Sequence, residues 1–204
     1  MYGSWTTPIV IRAKAREELV VSWPRRVSAY DPGSGKLLWT CEGLGDLVYP
    51  SPVYSDGIVV AMGGFGGPSL AVRAGGSGDV TSTHRLWQLP RSRQMIGSSV
   101  VTGGRIYLVD NNGIAECLEL ETGKVVWTNR LKGSGESSGV WSSPVLNRDR
   151  IYVMNKSAEV FIFKAAPQFE LLAANSLGEE TNSSVVISEG HVFLRTHSAL
   201  WCIQ

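Results

Sequence analysis

The chain has little of what metal or redox chemistry requires. Its 204 residues include three histidines and three cysteines; no two cysteines are adjacent, and no Cys-x-x-Cys-His run is present to mark an attached haem. His84, His191 and His197 each lack a motif partner at ligand spacing, which leaves them as ordinary strand or turn residues. Charge of one sign is also missing. Nineteen basic residues against eighteen acidic ones give a formal charge of +1, so no electrostatic footprint for nucleic acid or an anionic membrane surface exists. The group Arg25-Arg26 and the set Arg85, Arg91 and Arg93 read as solvated turn residues. Apolar runs are only a few residues long and Met1 leads almost directly into the first strand, so neither a signal peptide nor a membrane-inserted span is expected. Helical apolar spacing does not persist over about twelve residues anywhere, so helix should be scarce.

What is present is repetition. The segment Ala29-Tyr30-Asp31-Pro32-Gly33-Ser34-Gly35-Lys36-Leu37-Leu38-Trp39 returns as Cys117-Leu118-Glu119-Leu120-Glu121-Thr122-Gly123-Lys124-Val125-Val126-Trp127. A second landmark fixes the period. Short hydroxyl-rich runs open each unit at Thr7-Pro8, Ser51-Pro52, Ser98-Ser99, Ser143-Pro144 and Ser183-Ser184, and the steps between positions 8, 52, 99, 144 and 184 are 44, 47, 45 and 40 residues. Three positions earlier stand Trp5, Tyr49, Ile96, Trp141 and Thr181.

Within a unit, four short apolar runs are separated by Gly, Asn and Asp turns, as in 98–101, 105–109, 114–118 and 124–128. Such runs are strand and hairpin signals. A period of roughly 40 to 50 residues with four strands per unit is the pattern of a β-propeller blade. The fold expected is therefore all-β, one propeller domain over 1–204 with blades near 1–44, 45–92, 93–136, 137–176 and 177–204. Four blades are complete, and the fifth lacks its outer strand. Gly35 and Gly123 supply the positive φ of a tight hairpin. The Trp four residues on should fill the wedge against the next blade and give its indole N–H to that blade's backbone. Cys117 and Cys202 occupy the same third-strand position of different blades, so they should not pair; with Cys41 they read as small buried hydrophobes.

These residues resemble the pyrroloquinoline-quinone (PQQ) dehydrogenase-like propeller repeat, whose tryptophan-docking motif is Ala-x-Asp-x-x-x-Gly-x-x-x-Trp. The match is complete at Ala29 to Trp39; at 117–127 Cys117 replaces Ala and Glu119 replaces Asp. The second unit carries an insertion through Gly75-Gly76-Ser77-Gly78 before Trp87, and the fourth has Leu172 where Trp is expected. The resemblance implies a propeller of eight-bladed type, of which this chain forms part, and a periplasmic or extracytoplasmic location. It also implies two kinds of function. Propellers of the BamB type assist outer-membrane protein assembly without a cofactor; quinoprotein alcohol or sugar dehydrogenases hold PQQ with calcium on the channel axis, many under a ring of adjacent cysteines.

The expectation is a non-catalytic scaffold or ligand-binding module with no catalytic, cofactor or metal residues. The alternative is a quinoprotein dehydrogenase or a remnant of one. Partners would be another protein, or a second copy through open blade edges. Gly63-Gly64-Phe65-Gly66-Gly67-Pro68 lacks the Gly-Lys-Ser/Thr ending of a phosphate loop and reads as a long mobile loop. Glu17-Glu18 and Glu179-Glu180 read as solvated turn charges, Trp5 and Trp141 as blade packing, and Asn155 and Asn182 head glycosylation sequons. Strand order puts the loops between second and third strands on one face with the loops joining successive blades. That face, carrying Trp23, Arg25, Phe65, Asn111, Asn112, Asn155, Lys156, Arg195 and His197, is the candidate contact surface by fold analogy.

Overall fold

Twenty-two strands and no helix make up the described residues (2–14, 16–93, 96–133 and 139–204) of the computed structural model. Blade 1 comprises Ile9–Ala13, Arg16–Trp23, Arg26–Tyr30 and Leu37–Glu42; blade 2 comprises Val53–Ser55, Ile58–Met62, Ser69–Arg73 and Arg85–Leu89. Blade 3 is Val100–Thr102, Arg105–Val109, Ile114–Glu119 and Val125–Arg130; blade 4 is Val145–Asn147, Arg150–Met154, Glu159–Lys164 and Leu171–Ser176. Blade 5 has three strands, Val186–Ser188, His191–Arg195 and Leu200–Ile203. Within each blade neighbouring strands pair antiparallel in chain order.

Period-two alternation gives every inner blade two buried faces. In blade 3, Ile106, Leu108 and Leu118 point back to Ile58, Val60 and Trp87 of blade 2, while Tyr107, Val109 and Cys117 point forward to Ile151, Val153 and Phe163 of blade 4. Each such side chain contributes about 1.5–3 kcal/mol by leaving water. The core is thus a series of slabs between blades rather than one centre.

The hydroxyl residue opening each unit has a specific task. The backbone N–H of Thr7 donates to Ser51 Oγ at 2.9 Å, Ser51 N–H to Ser98 Oγ at 3.0 Å, Ser98 N–H to Ser143 Oγ at 2.9 Å, and Ser143 N–H to Ser184 Oγ at 2.9 Å. This ladder ties consecutive inner strands together and corrects the fifth alignment: its member is Ser184, not Ser183, so the last step is 41 residues. The residue two before it is accordingly Asn182, the counterpart of Trp5, Tyr49 and Trp141.

The tryptophan motif is equally explicit. Asp31 Oδ1 accepts from the Ser34 N–H at 2.7 Å and from its hydroxyl at 2.6 Å, closing the hairpin in which Gly35 adopts φ 70°. Gly123 adopts φ 68° and also lies under the preceding blade's ring, since a Cβ there would come 2.8 Å from Trp87 Cδ2. Trp87 Nε1 donates to Leu120 O at 2.8 Å and Trp127 Nε1 to Ala166 O at 3.0 Å, each a backbone carbonyl of the next blade. Trp39 differs. Its Nε1 donates to Glu18 Oε2 at 2.8 Å within its own blade; the Gly75 N–H of blade 2 donates to the same oxygen at 3.3 Å. Arg16 pairs with the other Glu18 oxygen at 2.7 Å and gives a further bond to Gly76 O at 2.6 Å. Glu18 is therefore a fully buried strand residue, not a solvated turn charge.

The insertion after Gly75 folds back over this site. Gly78–Asp79 pairs in parallel with Trp39 and Thr40 as a fifth strand on the outer edge of blade 1. In blade 4 the register places Ala173, not Leu172, opposite Ile162, the position that Trp127 takes opposite Cys117, because a bulge precedes both. No indole fills the junction of blades 4 and 5.

Candidate functional site

The turns between second and third strands hydrogen-bond to the loops joining successive blades, which puts both sets on one face. Arg25 N–H donates to Gly45 O, Gly64 N–H to Leu47 O, Val140 N–H to Asn111 O, Lys156 N–H to Gly139 O and His197 N–H to Glu180 O. Trp23, Arg25, Phe65, Asn111, Asn112, Asn155, Lys156, Arg195 and His197 thus occur in five successive second-to-third-strand connections or at their strand ends. They do not converge on one point.

Their side chains divide into those displayed and those used internally. Trp23, Phe65, Asn112, Arg195 and His197 are exposed. Arg25, in the left-handed region at φ 69°, donates through Nε to Asp46 at 2.7 Å and through Nη2 to the Tyr2 hydroxyl, with its guanidinium carbon 4.5 Å from the Tyr2 ring centre. The hydrogen bond and charge of Asp46 raise the Arg25 pKa above its ordinary value, keeping it cationic. Asn155 is buried: its Oδ1 accepts the Ser157 and Glu159 N–H groups and its Nδ2 faces Glu159, so it holds a turn and is closed to glycosylation. Lys156 extends over Trp141, with Nζ 4.0 Å from the ring centre. Lys156, Glu180, Asn182 and His197 surround a depression of about 110 Å³, where His197 Nδ1 stands 3.8 Å from Glu180.

The aromatic content of this face exceeds the sequence reading. Trp5 stacks on Tyr49 with centroids 4.5 Å apart and planes 8° from parallel, and Tyr49 meets Phe65 edge-on at 5.0 Å. Trp5 is 56% exposed, Phe65 55% and Trp141 42%, so each ring presents a face to solvent, Trp5 while also packing on Tyr49 of the next unit. The available signal is positional: an aromatic two residues before the ladder hydroxyl. The glycine loop that carries Phe65 is closed by Gly63 N–H to Pro68 O at 2.7 Å and tied to its neighbour by Ser92 N–H to Gly67 O at 3.0 Å.

A second depression lies between blades 4 and 5, beside the missing indole. Tyr152, Val160, Ile162, Val192, Leu194 and Ile203 line most of an apolar groove of about 430 Å³. Burial pushes the Cys41 and Cys117 thiols up to about 11, which makes both unreactive near neutral pH. Cys202, by contrast, is exposed. Among the described residues no three His, Cys, Asp or Glu side chains converge as metal ligands.

In comparisons with solved structures, BamB from Moraxella catarrhalis aligns at TM-score 0.70 and 15% identity over 98% of this chain and 56% of its own. The quinohemoprotein alcohol dehydrogenase ADHIIG from Pseudomonas putida HK5 aligns at 0.72 and 13% over 99% of this chain and 40% of its own. A europium-containing methanol dehydrogenase aligns at 0.70 and 11%, covering 94% and 47%. Identities this low establish the β-propeller fold alone, and this chain spans about half the length of these neighbours. No curated protein sequence matches. The family model described as outer membrane protein assembly factor BamB matches residues 6–204, which with the four-stranded blades and the tryptophan latch leads to one assignment: the chain belongs to the BamB-like PQQ-repeat propeller family.

Proposed function

We propose that this chain is a non-catalytic propeller module that binds a protein partner through its loop face, in outer-membrane protein assembly as its family description says, and that it works in the periplasm or another extracytoplasmic space. The observation that carries this reading is the display of Trp5, Phe65 and Trp141 on that face, beside Tyr2 with Arg25 and Trp141 with Lys156. Aromatic rings and arginine dominate the energetics of protein interfaces because they bury large rigid surface and end in directional polar groups. The rival reading is a PQQ-dependent alcohol or sugar dehydrogenase or a remnant of one.

Two measurements test it. A photo-cross-linking residue placed at Phe65 or His197, in cells with an outer membrane, should give protein adducts, whereas one at Asp56 or Glu189 on the opposite turns should give few. Equal adducts from both faces would sink the loop-face assignment. Micromolar binding of PQQ with calcium, accompanied by dye-linked oxidation of an alcohol or sugar, would replace the scaffold reading with a dehydrogenase.

A further inference from the structure

We propose that the junction of blades 2 and 3 binds a hard divalent cation, calcium by its ligand set, between the carboxylates of Asp110 and Glu116 and the hydroxyls of Ser69 and Ser92, with Arg93 as the group it displaces. The repeat itself marks the place. Between blades 1 and 2 the equivalent inward positions hold Val27 and Leu70, and between blades 3 and 4 they hold Ala115 and Phe161, each pair inside one apolar cluster. Between blades 2 and 3 they hold Ser69 and Glu116. Strand alternation aims both into this junction, since Ser69 shares its face with Ala71 and Glu116 with Leu118, two members of the core there. A core position has become polar between two four-stranded blades, each complete.

Charge and donor type select the ligand. Asp110 and Glu116 are both buried. Asp110 Oδ1 accepts the Asn112 and Ile114 N–H groups at 2.8 and 2.9 Å, and Glu116 Oε1 accepts from Thr128 Oγ1 and Arg93 Nε, both at 3.2 Å. Arg93 Nη1 stands 4.0 Å from Asp110 Oδ2, so the two carboxylates flank one guanidinium. Among the described residues no other cation pairs with either; Arg130 donates instead to Asn112 O. One buried negative charge is left unbalanced, which is costly. A divalent ion balances both carboxylates, and the Arg93 side chain, 49% exposed, can turn to water. The fully buried Ser69 hydroxyl and the buried Ser92 Oγ have no hydrogen-bond partner among the described residues. Ser92 N–H donates to Gly67 O, two residues before Ser69, and Ser92 precedes Arg93, which brings both hydroxyls to the carboxylates. An irregular set of oxygen donors without His or Cys suits calcium, which takes about six to eight oxygens with waters among them; magnesium demands a near-ideal octahedron.

Calorimetric titration of the purified chain with calcium chloride alone, at fixed ionic strength, should give one site with Kd of roughly 0.1–1 mM, the range of extracellular calcium modules. Calcium at about 10 mM should then raise Tm by roughly 3–10 °C. Glu116→Gln and Asp110→Asn, which keep side-chain shape, should each weaken binding at least about tenfold; if one of them fails to fold, the other decides the result. Arg93→Ala should lower the Tm of the calcium-free chain yet tighten calcium binding at least about threefold, because the competing cation is gone. A purely structural ion pair would give the first effect without the second. No binding up to about 10 mM overturns the proposal and assigns the two serine hydroxyls to a bridging water. Binding that survives both carboxylate substitutions overturns it too, as does magnesium binding as tight as calcium or unchanged affinity in Arg93→Ala. None of these outcomes involves PQQ or touches the cross-linking result expected at Phe65 and His197.

Discussion

Glu18→Ala should be among the most damaging single substitutions in this chain, while Glu17→Ala beside it should be nearly silent. Glu18 Oε2 receives the Trp39 indole and the Gly75 N–H, and Oε1 pairs with Arg16, all with the carboxylate fully buried. Removing it leaves one buried indole donor and one peptide donor without an acceptor, at about 1–3 kcal/mol each, and frees a guanidinium that is itself part-exposed and so can rehydrate. The terms overlap, and about 3–5 kcal/mol is the sum expected for breaking such a buried network. For a chain of this size, each kcal/mol moves Tm by about 2–4 °C, so the midpoint should fall by roughly 6–20 °C. Glu18→Gln keeps an acceptor for Trp39 and should cost about 1–2 kcal/mol, the charge-assisted part of the Arg16 contact. Thermal and urea unfolding followed by tryptophan fluorescence read these values, and hydrogen exchange at Gly75 and Gly78 localises them. A Glu18→Ala variant within about 0.5 kcal/mol of Glu17→Ala would refute the latch as drawn.

Two further outcomes follow from the same contacts. Ser98→Ala removes the acceptor of the Ser51 N–H and should lower stability by about 1 kcal/mol, with Ser98→Thr largely restoring it; equal losses in both variants would mean that the hydroxyl is not what matters. Cys41 and Cys117 titrate near 9 when unfolded and near 11 when folded, so the unfolded chain loses protons first as pH rises. Stability should be intact below pH 9 and decline between about 9 and 11, by roughly 2–3 kcal/mol per thiol at most; Cys117→Val should remove part of that slope in pH-dependent urea titrations.

The propeller was legible because its markers are local. A glycine with positive φ, an acid that closes the turn and a Trp at fixed spacing are all read within eleven residues, as Ala29 to Trp39 shows. What escaped depends on register or on neighbours distant in sequence. One bulge residue moves the latch position from Leu172 to Ala173, and one residue in the fifth unit moves the ladder from Ser183 to Ser184. Glu17 and Glu18 are indistinguishable as letters, but strand alternation turns one outward and aims the other at Trp39. Cys117 and Cys202 share a strand position, yet Cys117 is buried against blade 4 while Cys202 is exposed where burial was expected. Trp5 and Trp141 project from loops and stay partly exposed although Tyr49 stacks on one and Lys156 lies over the other, contacts about which sequence periodicity carries no information.

The serine ladder has one more consequence. Every rung runs the same way, from the main-chain donor of one blade to the side-chain acceptor of the next. Each unit therefore carries one plug and one socket of identical type, and copying or deleting a whole unit leaves compatible couplings on both sides. An array wired this way can change its number of units by duplication without inventing a new junction, and its units can diverge on their loops while remaining interchangeable at the axis.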